Sequence, residues 1–283
     1  GQGSSHMLAT LVAERFGISI DHCRVIEGDT ELTPVDLGSY SSRVTFMAGN
    51  AALDAADRLR ALLFDAVAEH LDCAPSDLTA HGDAIHHGET AVPWVEAVIL
   101  AETKHGTLGA EGSYRPPPIG SRFRRQSVGP SPAYSFTAQV AEVDVDPETG
   151  EVRITSYVVV HDSGRMINPM IVEGQILGGV AHGLGNALLQ HMVFNADGQP
   201  QTTTLAEYLL PTATTVPRIN LWHQQSPSPF NPLGVKGAGE GGTIPAPAAI
   251  VSAMEDALAP FGVLIAECPV SPARIVELVA AGG

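Results

Sequence analysis

Hydrophobic residues recur at helical spacing from the start of the chain. Met7, Leu8, Leu11, Val12 and Phe16 form one apolar stripe, with Ser4 or Ser5 placed to cap it and Gly17 to stop it. The stretch CRVIEGDT at 23–30 alternates and ends in turn residues, which predicts a short strand. A polar loop over 31–43 follows, and then a long Ala/Leu-rich helix from about Thr45 to His70. VPWVEAVILA at 92–101 predicts a second helix. Residues 103–132 are rich in proline and arginine, so the expectation there is a long crossing loop with no regular helix or central strand. Its basic cluster is Arg115, Arg122, Arg124 and Arg125, which suits either a solvated loop or an anion or subunit contact.

Beyond the loop the period changes to two. Val140, Val143 and Val145 lie on one predicted strand, Asp146-Pro147-Glu148-Thr149-Gly150 makes a turn, and Val152 to Val160 returns. A glycine-rich helix is predicted over 171–190; glycine disfavours helix, so its glycines imply close packing or close approach to a ligand. A short hairpin over 192–200, a strand in PRINLWHQQ and a helix over 246–260 complete the pattern.

Composition narrows the function. The net charge of −16 argues against a nucleic-acid backbone or an anionic membrane surface as partner. Cys23, Cys73 and Cys268 are far apart and form no CxxC pair, so this chain alone builds no cysteine-ligated cluster or zinc site. Sparse cysteines, no signal-like segment and no long apolar span lead to the expectation of a cytoplasmic chain. HExxH, Walker and GxSxG patterns are missing, and no partner for a lyase or hydrolase acid–base pair is visible.

Candidate chemistry gathers at LGVKGAGEGGTIPAP. Glu240 lies between Gly237, Gly239, Gly241 and Gly242, which leave its carboxylate little shielded. In a partly dehydrated pocket such a carboxylate becomes a useful general base; in an ordinary loop it is merely solvated. Gln2, between Gly1 and Gly3, offers donors and an acceptor to a heterocycle, or marks a simple turn. Ser39, Ser41 and Ser42 beside Arg43 suit a pyrophosphate, or form a polar loop.

NPLGVKGAGEGGTIPAPAAIVSAMEDAL closely resembles the C-terminal signature of the molybdenum hydroxylases, the family of xanthine dehydrogenase, aldehyde oxidase and aerobic carbon monoxide dehydrogenase. GQG at the start, SYSSR at 39–43 and HDSGRMINPMIVEGQILGGVAHGLG extend the resemblance to about residue 276. Departures occur at Ser4-Ser5-His6, at Ser41 and Val44, and at His182, where the family usually has glutamine; His182 receives no role.

The resemblance implies an α+β fold of mixed sheets and packed helices, with molybdopterin-binding subdomains over 1–102 and 133–283 joined by the 103–132 loop. Glu240 would be the base that deprotonates a water-derived ligand. The resulting oxygen would enter an aldehyde, or a carbon beside a ring nitrogen. Cofactor contacts would come from Gly1, Gln2, Gly3, Ser39, Ser41, Ser42, Arg43, Asn168, Gln175, Lys236, Gly237 and Gly239. Molybdenum would be held through the pterin dithiolene, in the cytosine dinucleotide form, and by no side chain of this chain. The expected partners are the N-terminal half of the molybdenum-binding subunit, an iron–sulfur subunit carrying 2Fe-2S clusters, a flavoprotein carrying FAD, and a small-molecule substrate. Without them the chain is expected to be inactive. The competing reading is a non-catalytic assembly or scaffold subunit.

Overall fold

The computed structural model describes residues 1–36, 38–117 and 133–282. They divide into two compact units, Gly1–Tyr134 with Pro227–Lys236, and Ser135–Ser226 with Gly237–Gly283. Helices together with one antiparallel and one mixed sheet make this the α+β class.

The first unit has three helices, α1 (Ser4–Phe16), α2 (Asn50–His70) and α3 (Trp94–His105). A small antiparallel sheet adds β1 (Thr79–His81), β2 (Ala84–His87) and β3 (Thr90–Pro93) in that order. Its core joins Phe16, Leu63, Val67, Ile85, Val92 and Ala97. Alanines at Ala56, Ala97 and Ala101 let the helices approach closely, and Phe16 meets Trp94 edge-on at 5.5 Å.

Several local expectations are corrected here. Gly3 takes the cap position of α1 with φ 79°, no side chain caps the helix, and Ser4 and Ser5 are already helical. The Ser5 hydroxyl instead donates to Glu27 at 2.6 Å. The strand expected over 23–30 does not form: among the described residues no strand pairs with it, and Ile26 is exposed. Alternation without a neighbouring ladder leaves extended chain only. The 92–101 helix begins at Trp94, because Val92 and Pro93 belong to β3. It also continues to His105, into the segment expected to hold no helix, where Lys104 pairs with Asp65 of α2 at 2.7 Å. Arg115 is exposed; Arg122, Arg124 and Arg125 lie outside the described residues.

The second unit is a three-stranded mixed sheet with helices against one face. β4 (Phe136–Val145) and β5 (Val152–Asp162) are antiparallel; β6 (Ile219–His223) runs parallel to β5, which is central. The β4–β5 turn falls where expected, with the Asp146 carboxylate accepting from the backbone N–H groups of Glu148 and Thr149 at 2.8 and 3.2 Å. These bonds hold its carboxyl below the ordinary carboxylate range. The expected hairpin at 192–200 is reduced to one bridge between Phe194 and Pro200.

α4 (Pro169–Leu188), α5 (Ala246–Ala257) and α6 (Pro272–Gly282) cover the sheet. Tyr157 and Val159 of β5 meet Ile176, Val180 and Leu184 of α4, and Ile250 and Met254 of α5, in one buried cluster. The α4 glycines split by face. A Cβ on Gly179 would lie 2.9 Å from the Gly242 Cα, and one on Gly183 would lie 2.5 Å from the Ala246 Cβ. Gly174 and Gly178 have open space instead.

Candidate functional site

In the second unit the Glu240 loop sits on a backed platform. Gly241 lies against the His161 ring, where an added Cβ would come within 2.7 Å of Nδ1. Gly242 lies against α4, where a Cβ would come within 3.0 Å of the Gly179 Cα and would also overlap the Ile176 carbonyl oxygen. The Gln139 amide of β4 donates to the Gly242 and Gly241 carbonyls at 2.9 and 3.3 Å. The Glu240 carbonyl accepts from Thr243 and Ile244 N–H groups, each at 3.1 Å, leading directly into α5. Gly241 and Gly242 are thus buried, whereas Gly239 and Glu240 are exposed. The described residues do not supply the partial dehydration expected around Glu240. Its neighbours fix where the backbone is and leave the residue at the surface.

Gln175 and Asn168 belong to the same platform. Asn168 opens α4, its side-chain oxygen accepting from the Ile171 N–H at 3.2 Å. Gln175 is half-buried and immediately precedes Ile176, whose carbonyl abuts Gly242; Gly174 beside it meets open space. His182 is exposed on α4. Asp162 accepts from Gly164 and Ser226 N–H groups at 2.8 and 3.1 Å, which fixes the turn between β5 and α4.

His161 carried no role in the sequence reading, although it begins the quoted HDSGR motif. It is fully buried, and neither of its ring nitrogens completes a hydrogen bond. Burial lowers its pKa from the ordinary value; the nearby Gly237 backbone and Asp162 pull it up, and His223 pushes it further down. His223 in turn lies 3.6 Å from Glu173. The signal that could have marked His161 is its period: it shares the inward face of β5 with Tyr157 and Val159, where apolar residues are the rule.

The remaining candidates lie in the first unit. Gly1-Gln2-Gly3 leads into the N-terminus of α1, with the Met7 N–H bonding the Gly3 carbonyl at 3.0 Å. Tyr40–Ser42 forms a tight turn in which Ser41 and Ser42 have φ 55° and 49°. Non-glycine residues seldom adopt this region, and strain of this kind clusters at functional positions. The Arg43 guanidinium lies 4.0 Å over the Tyr40 ring and borders a cavity of about 210 Å³ with Val35, Asp36, Met47 and Tyr114. Lys236 ends a segment locked by Asn231, which exchanges bonds with Val235 at 3.0 and 3.2 Å. Gly49 brings α1 and this segment together: a Cβ there would meet Leu11, Leu233 and Met7 at 3.0, 3.4 and 3.5 Å.

These features fit a phosphate-bearing pterin. A turn with successive left-handed residues gathers N–H groups into a concave anion cradle, and serine hydroxyls and a guanidinium add donors. The helix N-terminus after Gly3 adds a further favourable dipole. Among the described residues no group of three or more His, Cys, Asp and Glu is placed to hold a metal ion.

Comparison with known proteins agrees with this class. Residues 1–217 match the family model described as "Molybdopterin cofactor-binding domain". The chain is 34% identical over 278 residues to the 6-hydroxypseudooxynicotine dehydrogenase complex subunit gamma of Paenarthrobacter nicotinovorans, covering 97% of this chain and 34% of that protein. It is 33% identical over 281 residues to the carbon monoxide dehydrogenase large chain of Hydrogenophaga pseudoflava, again covering 97% of this chain and 34% of that one. The crystal structure of quinoline 2-oxidoreductase from Pseudomonas putida 86 superposes with a TM-score of 0.84 at 32% identity, over 99% of this chain and 35% of that chain. The chain therefore belongs to the molybdenum hydroxylases, whose molybdopterin cofactor-binding domain it carries. It spans about a third of the length of these relatives.

Proposed function

We propose that this chain forms the molybdopterin-binding part of a multi-subunit, cytoplasmic hydroxylase that inserts water-derived oxygen into an aldehyde or an N-heterocycle carbon. Relatives named for quinoline and for 6-hydroxypseudooxynicotine favour the heterocycle arm. The observation that carries the reading is the Glu240 loop: its backbone is clamped at Gly241 and Gly242, while Glu240 itself stays at the surface of the platform. Glu240 acts as the general base, taking a proton from the attacking oxygen. Molybdenum held by the pterin, itself in the cytosine dinucleotide form, would supply the two-electron chemistry. Ser41, Ser42 and Arg43 hold the phosphates, Gln2, Asn168 and Gln175 the pterin edges, and the backbone of Gly1, Gly3, Lys236, Gly237 and Gly239 adds further cofactor contacts. Partner subunits with 2Fe-2S clusters and FAD would take up the electrons, and the N-terminal half of the molybdenum-binding subunit would supply the dehydrating cover over Glu240.

Glu240→Gln keeps the shape and removes the basicity. In the complete complex, turnover should fall by about 10²–10⁴-fold with molybdenum content unchanged. Full occupancy with near-normal turnover would defeat the reading. Gln2→Ala or Gln175→Ala should instead lower molybdenum occupancy, since each leaves a polar edge of the cofactor unpaired at a cost of about 1–3 kcal/mol.

A further inference from the structure

Gln139 stands outside every motif quoted above, yet its side chain reaches the two peptide carbonyls that flank Gly242. It lies on β4, paired in register with Val159 of β5. Tyr157, two residues back along β5, is its diagonal neighbour on the same face. The Tyr157 hydroxyl donates to the Gln139 side-chain oxygen at 2.5 Å. The Gln139 nitrogen donates to the Gly242 and Gly241 carbonyls at 2.9 and 3.3 Å.

The polarity of this relay is fixed by chemistry. Backbone carbonyls only accept, so the NH₂ end must face the loop. The opposite orientation would set the amide oxygen against two carbonyl oxygens. The oxygen end then needs a donor, and Tyr157 is one that burial keeps protonated by raising its pKa above the ordinary phenol value. Tyr157 is fully buried in the sheet–helix core, and its hydroxyl proton is used in the bond to Gln139. A rigid strand pair is thereby connected, through two side chains, to the peptides that follow Glu240.

We propose that Gln139, oriented by Tyr157, is a positioning residue that sets the placement of Glu240. This rests on Glu240 being the base. A displacement of about 1 Å in a reacting group can cost about 100-fold in rate, so losing the clamp should act on kcat. It should not act on molybdenum binding, because neither residue belongs to the predicted cofactor contacts.

The test is a double-mutant cycle in the complete complex with Gln139→Leu, Glu240→Gln and the double variant, read as kcat, KM, molybdenum content and amide exchange over Gly241–Thr243. Gln139→Leu should lower kcat by about 10–100-fold with KM and molybdenum little changed, and should speed exchange in those amides. In the Glu240→Gln background the same change should cost almost nothing further, because Gln139 acts through Glu240. A purely structural role would give losses that multiply. Tyr157→Phe, which removes one neutral hydrogen bond, should reproduce the pattern at about fivefold, and it carries the test if Gln139→Leu does not fold. Multiplying losses, or unchanged kcat and exchange in both Gln139→Leu and Tyr157→Phe, would overturn the proposal. If Glu240→Gln itself retains turnover, the base assignment fails and this proposal fails with it. An active Gln139→Leu beside an inactive Glu240→Gln removes the positioning role alone.

Discussion

The two loops richest in candidate contacts are held in opposite ways. The Tyr40–Ser42 turn keeps its shape by local backbone, with Ser41 and Ser42 in left-handed conformations that side chains disfavour. The Glu240 loop avoids such strain. It uses glycines where backbone must touch backbone, and is gripped from behind by a ring, a helix and an amide. A turn whose task is to present N–H groups to an anion can tolerate strain, because the ligand repays it on binding. On the proposed reading the Glu240 loop has to place one carboxylate, and the contacts at Gly241, Gly242 and Gln139 would serve as its external reference points.

The largest expected effect that sharpens this contrast is Glu240→Gln, at about 10²–10⁴-fold in turnover, against no loss of molybdenum. Next comes Gly242→Ala. Its Cβ would overlap the Ile176 carbonyl oxygen and press on Gly179, both backbone, so neither neighbour can rotate away. Overpacking of this kind typically costs about 1–3 kcal/mol. Melting of the complex should fall, and turnover should fall further than occupancy does. Gly174→Ala, on the open face of the same helix, is the control and should melt like the parent or slightly above it. Equal behaviour of Gly242→Ala and Gly174→Ala would erase the distinction between clamped and open positions.

The first unit should respond with the opposite sign. Ser41→Gly removes the Cβ from a residue at φ 55° and should stabilise the unliganded chain by up to about 1–2 kcal/mol, measured by denaturant unfolding. A destabilising outcome would show that Ser41 makes contacts worth more than its strain.

What could be read from residues alone follows the range of the interactions. The β4–β5 hairpin, α4 and α5 were legible because each carries its own period over ten or more residues, with Asp146 to Gly150 marking the turn. Residues 23–30 misled, because alternation says nothing about whether a partner strand exists. The β1–β2 hairpin went unread although Gly82 and Asp83, at φ 57° and 62°, are the residues a tight two-residue hairpin turn prefers. Its strands are too short to show a period. Glu240 stood out by its glycines, whereas Gln139, Tyr157 and His161 did not: their role depends on a sheet register and on a loop about a hundred residues away. The surface position of Glu240 was equally invisible, since burial belongs to the tertiary arrangement.

The smallest effect concerns the ring under the clamped loop. His161 is buried and its pKa is lowered, with Asp162 and His223 the titratable groups acting on its ring and Glu173 beside His223. Its folded pKa lies below the ordinary value of 6.5. As pH falls below that value the unfolded chain takes up a proton that the folded chain refuses, so stability declines until the lowered folded pKa is reached. Above it both states are neutral and His161 contributes no pH dependence. The slope from one such group cannot exceed about 1.4 kcal/mol per pH unit, and the change from pH 7 to pH 6 should stay under about 1 kcal/mol. Thermal unfolding of the complex at these two pH values, in the parent and in His161→Gln, reads it directly. The variant should melt lower at both, since it disturbs the seat of Gly241, but its melting should depend less on pH. An unchanged pH dependence would mean that His161 is protonated as readily in the folded chain as outside it, and that burial does not hold the ring neutral.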